Sequence, residues 1–132
     1  WLFTDAILAG RPIKIFNHGD MSRDFTYVDD IVSGVLAARD NPPGREGAAT
    51  APHRVYNIGN NHPEPLLRAI EILEDALGRK AERILEPMQP GDVKSTYADL
   101  TAIERDLGFR PTITIAEGIP RFVDWFRDYH KL

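Results

Sequence analysis

The amino-acid sequence predicts a mixed α/β fold, with short strands and about five helices in a single domain that spans residues 1–132. Apolar stripes at helical spacing, several of them followed by a glycine, alternate along the chain with short runs rich in β-branched and aromatic residues. The length of 132 residues, 42% of them hydrophobic, is enough for one core. We therefore expect one folded unit, without an internal repeat or a linker.

The first segment is expected to form a helix. Its apolar side chains share one helical stripe that comprises Leu2, Phe3, Ala6 and Ile7. Gly10 and Pro12 follow this stripe, and both residue types favour the end of a helix. Because the chain opens on Trp1, inside this apolar segment, we expect it to be part of a longer protein.

Two short strands and a second helix are predicted next. Residues 13–16 alternate with period two, residues 17–20 supply turn chemistry, and residues 25–28 form a second extended run. Asp29 is the predicted cap of a helix over residues 30–39. The buried stripe of that helix is expected to comprise Ile31, Val32, Val35 and Leu36.

The middle of the chain is predicted to run from loop to strand to helix. Proline, glycine and alanine dominate residues 41–53, which are expected to form a surface loop, and residues 54–58 read as a strand. Pro65 is suited to the first position of a helix that Gly78 closes. The apolar residues of this helix are Leu66, Leu67, Ile70, Leu73 and Leu77.

The last third of the chain predicts one strand and two helices. A strand is expected at residues 83–85, and a short helix from about residue 101 to residue 107 is followed by a glycine. Thr114 and Glu117 have the spacing of a capping box at the start of the final helix. Pro120 falls inside that helix and removes one backbone hydrogen bond, so we expect it to bend the first turns.

Composition argues against several classes of function. The net charge is −4 and the basic residues are scattered singly, so nucleic acid is not an expected partner. No apolar run approaches the roughly 20 residues of a membrane span, so we expect no membrane partner. Cysteine is absent, which excludes disulfides and thiolate metal sites and agrees with a cytoplasmic location.

The chain also lacks the usual signatures of catalysis and of cofactor binding. No glycine-rich dinucleotide loop occurs, since Gly44 and Gly47 are followed by Thr50 at the third position of that pattern. No lysine stands four residues after any tyrosine, where it would lower the pKa of a catalytic tyrosine. The four histidines share no metal-ligand spacing. We therefore assign no catalytic, cofactor-binding or metal-binding residue to the chain.

Three segments form one distinctive pattern: Gly19–Ile31, Tyr56–Gly59 and Gln89–Val93. Their order and spacing, up to a final helix that contains Phe122–Phe126, resemble the carboxyl-terminal half of the extended short-chain dehydrogenases/reductases. Within this NAD-dependent epimerase/dehydratase family, the pattern is most similar to that of bacterial UDP-glucuronate 4-epimerases. The resemblance covers nearly the whole chain and implies a substrate-binding part without a complete Rossmann domain.

The resemblance implies roles for five residues. The backbone around Lys14 and Phe16 would contact the uracil. Arg23 would grip the nucleotide diphosphate, a task that suits a planar donor fork. Asp92 would accept hydrogen bonds from the ribose hydroxyls. Gln89 stands where galactose-type epimerases have a second phosphate-binding arginine, which would make this clamp weaker and favours the glucuronate branch.

The residues themselves leave other interpretations open. Arg23 could be a solvated loop arginine, and Asp92 could cap its own turn. Adjacent acids on a helix do not face each other, so Asp29 and Asp30 are interpreted as a cap and a solvated first-turn acid rather than as a catalytic pair. Asn57 could contact the ligand or hold its own turn.

The resemblance implies that the parent protein is an NAD-dependent nucleotide-sugar epimerase whose catalytic residues precede this chain. The chain alone would bind a UDP-sugar, would bind no NAD and would be inactive without an amino-terminal Rossmann domain. The parent would be a homodimer. A related dehydratase or decarboxylase, and a non-catalytic UDP-binding module, remain as alternatives. An exposed apolar patch would mark the surface that the absent domain covers.

Overall fold

The computed structural model describes residues 1–44 and 52–132. The described residues form five α-helices and four short strands, which confirms the predicted mixed α/β class. Their bounds are α1 Leu2–Leu8, β1 Ile13–Ile15, β2 Ser22–Arg23, α2 Val28–Asp40, β3 Glu64–Pro65, α3 Leu66–Leu77, β4 Arg83–Leu85, α4 Thr101–Leu107 and α5 Ile115–His130. Most of the predicted loop at residues 41–53 lies outside the described residues.

The main core lies between α1, β1, α3 and α5. Its buried side chains are Ile7, Ile13, Ile15, Ile70, Leu73, Leu77 and Val123. The apolar stripe predicted for α3 supplies Ile70, Leu73 and Leu77, because side chains three or four positions apart share one face of a helix. Removing each such side chain from water contributes roughly 1.5–3 kcal/mol.

The ends of three helices agree with the predictions from sequence. Gly78 and Gly108 follow α3 and α4 in the left-handed conformation, with φ of 66° and 65°, which glycine adopts without strain. At the start of α5, a carboxylate oxygen of Glu117 accepts a hydrogen bond from the backbone N–H of Thr114 at 3.3 Å, which completes the capping box. The helix continues through Pro120.

Two small sheets join segments that are far apart in the sequence. Strand β1 pairs in parallel with β4, so that Lys14 lies opposite Ile84. Strand β2 pairs antiparallel with β3, and Arg23 lies opposite Glu64. The first pairing continues beyond the strands, because the backbone N–H of His18 donates to the carbonyl of Glu86 at 3.0 Å.

Two predicted strands are absent from the described residues. Residues 25–27 have no strand pairing and Val28 already belongs to α2, so the extended run predicted at residues 25–28 is wrong. Residues 54–58 also form no strand, and Val55 is exposed. A strand requires a partner for its backbone groups, and no described segment pairs with either run.

Helix α2 differs most from its prediction. It begins at Val28 with Tyr27 at the N-cap position, so Asp29 does not cap it. The residues buried on it are Asp30 and Gly34, one turn apart. Three side chains of the predicted stripe are exposed: Val32 by 49%, Val35 by 54% and Leu36 by 41%. The helix packs instead through Gly34, where an added Cβ would lie 2.9 Å from Cδ1 of Ile58.

A second, smaller core lies beside α4. Leu100, Ile103 and Phe109 are buried there, and Tyr56 and Ile58 pack against them. The segment predicted as a strand therefore contributes to this core without being one. None of the helices in residues 1–44 and 52–132 is long and apolar enough to cross a membrane.

Candidate functional site

Arg23 and Asp92 form an ion pair at the edge where β2 meets the segment that follows β4. Nη2 of Arg23 lies 2.8 Å from Oδ1 of Asp92. Nη1 of Arg23 donates to the backbone carbonyl of Ser22 at 2.8 Å and to that of Lys94 at 3.3 Å. The Arg23 and Asp92 side chains are 24% and 31% exposed, so this pair is partly buried and still accessible to a ligand.

Main-chain pairing brings these two residues together although 69 positions separate them. The N–H of Ser22 donates to the carbonyl of Lys94 at 2.9 Å, and the N–H of Thr96 donates to the carbonyl of Ser22 at 3.3 Å. Asp92 itself follows a tight turn, in which its N–H donates to the carbonyl of Gln89 at 3.1 Å. Gly91 makes this turn possible because its φ of 85° lies in the left-handed region.

The Asp24 carboxylate, next to Arg23 in the sequence, binds two distant segments, a role that the sequence analysis did not anticipate. It accepts hydrogen bonds from four backbone N–H groups at 3.0–3.3 Å, which belong to Asn60, Asn61, His62 and Ala98. The N–H of Asp24 donates to Oγ1 of Thr96 at 3.0 Å. The only sequence signal is an acid directly after Arg23, and nothing in the sequence identifies donors 36–74 positions away.

Gly59 places the Tyr56–Gly59 motif against Asp24, the residue that follows Arg23. A Cβ added at Gly59 would lie 2.3 Å from Cβ of Ala98 and 2.8 Å from Oδ2 of Asp24. Only glycine fits between these two groups without a shift of the backbone. Asn57 of the same motif donates from Nδ2 to the carbonyl of Asp99 at 3.4 Å, so its side chain contacts a distant segment rather than its own turn.

Lys14 and Phe16 lie at the other end of the same paired segments. The Lys14 side chain is exposed, and its Nζ lies 3.5 Å from Oε1 of Glu86. Phe16 is half-buried and begins a 3₁₀ turn that ends at Gly19. Within this turn Asn17 and His18 have φ of 49° and 51°, a left-handed backbone that is uncommon for residues with a side chain but that Asn and His adopt more readily than most.

All five residues to which the sequence analysis assigned ligand contacts therefore lie on two segments that pair with each other, residues 13–23 and residues 83–96. Gln89 is exposed, and its carbonyl holds the turn before Asp92. Another ion pair, between Nζ of Lys94 and Oδ2 of Asp20 at 2.6 Å, lies on the same two segments. These segments thus carry three cations that are paired with a carboxylate across them: Lys14, Arg23 and Lys94.

Asp29 and Asp30 do not form a catalytic pair. Asp29 is exposed, whereas Asp30 is only 4% exposed, so the expectation of a solvated acid at this position is wrong. The Asp30 carboxylate accepts hydrogen bonds from the backbone N–H groups of Thr112 and Ile113 at 3.0–3.2 Å. Its role is structural, because it connects α2 to the segment before α5.

The described residues contain no group of three or more His, Asp or Glu side chains that could hold a metal ion. The near-match to a glycine-rich loop cannot be placed in the fold, because Gly47 and Thr50 lie outside the described residues.

The comparisons of this chain with a family model and with related proteins agree with each other. The model of the NAD dependent epimerase/dehydratase family matches residues 2–59. Protein CapI of Staphylococcus aureus is 43% identical over 98% of this chain and 42% of its own length. The probable UDP-glucuronate 4-epimerase of Rhizobium meliloti is 41% identical over 98% of this chain and 41% of its own length.

A solved structure shows the same fold. The UDP-glucuronic acid 4-epimerase of Bacillus cereus, in complex with UDP-glucuronic acid and NAD, superposes with a TM-score of 0.80 and 29% sequence identity. The match covers 96% of this chain and 38% of that chain. The chain therefore spans about two fifths of the length of the relatives that it matches.

Proposed function

Because this chain belongs to the NAD dependent epimerase/dehydratase family, we propose that it is the UDP-sugar-binding portion of an NAD-dependent nucleotide-sugar epimerase that acts on UDP-glucuronate. The observation that carries this proposal is the partly buried Arg23–Asp92 pair, which places a guanidinium and a carboxylate 2.8 Å apart on one accessible edge. A UDP-sugar offers matching groups, since its diphosphate is an anion and its ribose carries two hydroxyl donors.

Arg23 would bind the diphosphate. Its contacts with the carbonyls of Ser22 and Lys94 and with Asp92 use three of the five N–H donors of the guanidinium. The donors that remain suit phosphate oxygens, to which arginine binds more specifically than lysine does.

The backbone of β1 would read the uracil. Backbone groups of alternate residues in a strand point in opposite directions, and Ile13 and Ile15 bond to the β4 side. The N–H and C=O groups of Lys14 therefore face away from β4, toward an edge that pairs with no other described strand. A base with one donor beside one acceptor could bond to such an edge, so the Lys14 side chain should matter little.

NAD would be bound by another part of the parent enzyme. Two observations support this assignment: the sequence contains no glycine-rich phosphate loop, and the described strands pair only in twos. When bound, NAD supplies the hydride chemistry of such an enzyme. This chain would hold the nucleotide in place while the sugar reacts.

The exposed face of α2 would pack against that NAD-binding portion. Val28, Val32, Val35 and Leu36 are 41–59% exposed although they follow helical spacing. Isolated monomeric domains rarely leave such a patch uncovered. The surface is compatible with a chain that completes its core against a second domain.

A calorimetric titration of the chain with UDP tests the proposal. Arg23→Ala should weaken UDP binding by at least about 10-fold, because a charge-assisted contact is lost. Arg110→Ala is the matched control, since Arg110 is an exposed arginine paired with Glu104 at α4, and it should leave the affinity unchanged. Equal affinity in wild type and Arg23→Ala would refute the assignment of Arg23.

The choice of sugar needs a separate measurement. The chain joined to an NAD-binding portion should convert UDP-glucuronate in preference to UDP-glucose, and product analysis would show which sugar turns over. UDP binding without any such conversion would instead favour a non-catalytic binding module.

A further inference from the structure

The two hydrogen bonds that described residues make to the Asp92 carboxylate fall on the same oxygen. Oδ1 accepts from Nη2 of Arg23 at 2.8 Å and from the backbone N–H of Val93 at 2.8 Å. Oδ2 receives no hydrogen bond from the described part of the chain. The short bond to Val93 also fixes the carboxylate relative to its own backbone, so the two oxygens have different environments.

Arg23 is held from two sides. Both N–H groups of Nη1 point to carbonyls, and Nη2 points to Asp92. The carbonyl contacts hold the Nη1 end of the guanidinium, and the Asp92 contact holds the Nη2 end against rotation. A planar fork donates two parallel hydrogen bonds to a phosphate, so the orientation of its plane affects how well it fits the anion.

From this geometry we propose that Asp92 is a positioning residue for Arg23 as well as a ribose ligand, an inference that rests on the proposed function. Oδ1 orients the guanidinium before the nucleotide arrives, and Oδ2 is the oxygen that accepts hydrogen bonds from the ribose. The ion pair is therefore part of the bound state. Preorganisation of this kind increases affinity because less conformational freedom is lost on binding.

The experiment separates the two roles with a nucleotide that lacks the ribose hydroxyls. UDP and 2′,3′-dideoxy-UDP are titrated into the wild-type chain and into Asp92→Ala. If Asp92 orients Arg23, Asp92→Ala weakens 2′,3′-dideoxy-UDP by about 10-fold, the size of one charge-assisted hydrogen bond, and weakens UDP by more. Unchanged affinity of Asp92→Ala for 2′,3′-dideoxy-UDP would limit the role of Asp92 to the ribose. Tighter binding would mean that the Asp92 carboxylate competes with the phosphate for Arg23. Either result overturns the proposal.

Asp20→Ala is the matched control. Asp20 lies on the same paired segments, carries the same charge and pairs with Lys94 rather than with Arg23. Its removal also takes one negative charge away from the bound diphosphate, so Asp20→Ala should leave the affinity for both nucleotides unchanged or slightly higher. A loss in Asp20→Ala equal to that in Asp92→Ala would contradict a specific effect on Arg23.

A ligand-free measurement tests the orientation even if UDP does not bind. In ¹⁵N NMR spectra, a fixed Arg23 guanidinium gives two separate Nη signals, and a rotating one gives an averaged signal. We expect separate signals in the wild-type chain and averaged signals in Asp92→Ala. Separate signals in both, or averaged signals in both, would overturn the positioning role, whereas failure of the wild-type chain to bind UDP would refute only the proposed function.

Discussion

The Asp30 carboxylate lies 3.1 Å from the backbone nitrogen of Thr112, and this contact joins α2 to a segment 82 residues later in the sequence. The N–H of Ile113 and Oγ1 of Thr112 donate to the same carboxylate at 3.0 Å and 3.1 Å. Asp30→Ala should lower the free energy of unfolding by about 2–4 kcal/mol, because three partly buried donors lose hydrogen bonds to a charged acceptor. Urea denaturation measures this difference.

Asp29 supplies the control for that experiment. It occupies the same first turn of α2 but is exposed, so Asp29→Ala should cost less than about 1 kcal/mol, the usual value of an acid near a helix N-terminus. Equal losses in the two variants would show that the Asp30 network does not stabilise the fold.

Gly59→Ala should destabilise the protein and weaken UDP binding together. The new methyl group would meet Cβ of Ala98 at 2.3 Å and Oδ2 of Asp24 at 2.8 Å, so the segments around Arg23 must separate. We expect a loss of about 1–3 kcal/mol in the free energy of unfolding, typical of overpacking. Thermal unfolding and UDP titration check the two effects.

Ala98→Gly offers a test of the cause. Added to Gly59→Ala, it removes the nearer of the two clashing groups and should restore part of the lost stability. If the double variant is less stable than Gly59→Ala alone, steric overlap with Ala98 is not the reason for the loss.

Stability should depend on pH through Glu74. Burial by itself raises the pKa of this carboxyl, but hydrogen bonds from Arg83, Lys80 and the N–H of Ala81 outweigh it, so the pKa of Glu74 lies below its ordinary value. The unfolded chain therefore takes up this proton at higher pH than the folded chain. The stabilisation is present above the unfolded-state pKa and is lost as the pH falls through the folded-state pKa.

Glu74→Gln isolates this effect. The difference in free energy of unfolding between wild type and Glu74→Gln should be constant near neutral pH and should decrease as the pH falls below the ordinary pKa of a glutamate. Urea denaturation at several pH values gives this difference. A difference that stays constant over the whole pH range would show that the ionised Glu74 carboxylate is not its source.

Charged substitutions on the exposed face of α2 should leave the chain folded. Val32→Lys is expected to change the free energy of unfolding by no more than about 0.5 kcal/mol, because the side chain is half exposed. Ile103→Lys, at a residue with 0% exposure, should unfold the chain. If the α2 face packs against the NAD-binding portion, Val32→Lys should abolish the association of this chain with that portion, which co-purification measures.

Val32→Lys chains that associate as tightly as wild type would contradict the proposed role of α2. Loss of stability in the isolated chain equal to that of Ile103→Lys would instead mean that the stripe is buried within the chain, as the periodicity alone predicted.

The sequence determined the parts of this protein that depend on local physics. Helical periodicity located α1, α3, α4 and α5, glycine marked the ends of α3 and α4, and the capping box marked the start of α5. The joint order and spacing of Gly19–Ile31, Tyr56–Gly59 and Gln89–Val93 indicated the family resemblance and selected residues that lie on two paired segments. The helix signals are contained within short windows, and the family pattern consists of residue types in a fixed order, so no knowledge of the fold was needed to find them.

Only the tertiary structure decided which distant groups contact each other. Residues 54–58 have strand-like composition but pair with no described segment, and the stripe of α2 has helical spacing but no described partner. The ligand sets of Asp24 and Asp30 depend on backbone N–H groups, which every residue except proline carries, so their identity leaves no trace in the sequence. The orientation of Arg23 by Asp92 likewise follows from main-chain pairing between segments 69 positions apart, because the direction of a side chain is fixed by the backbone that carries it.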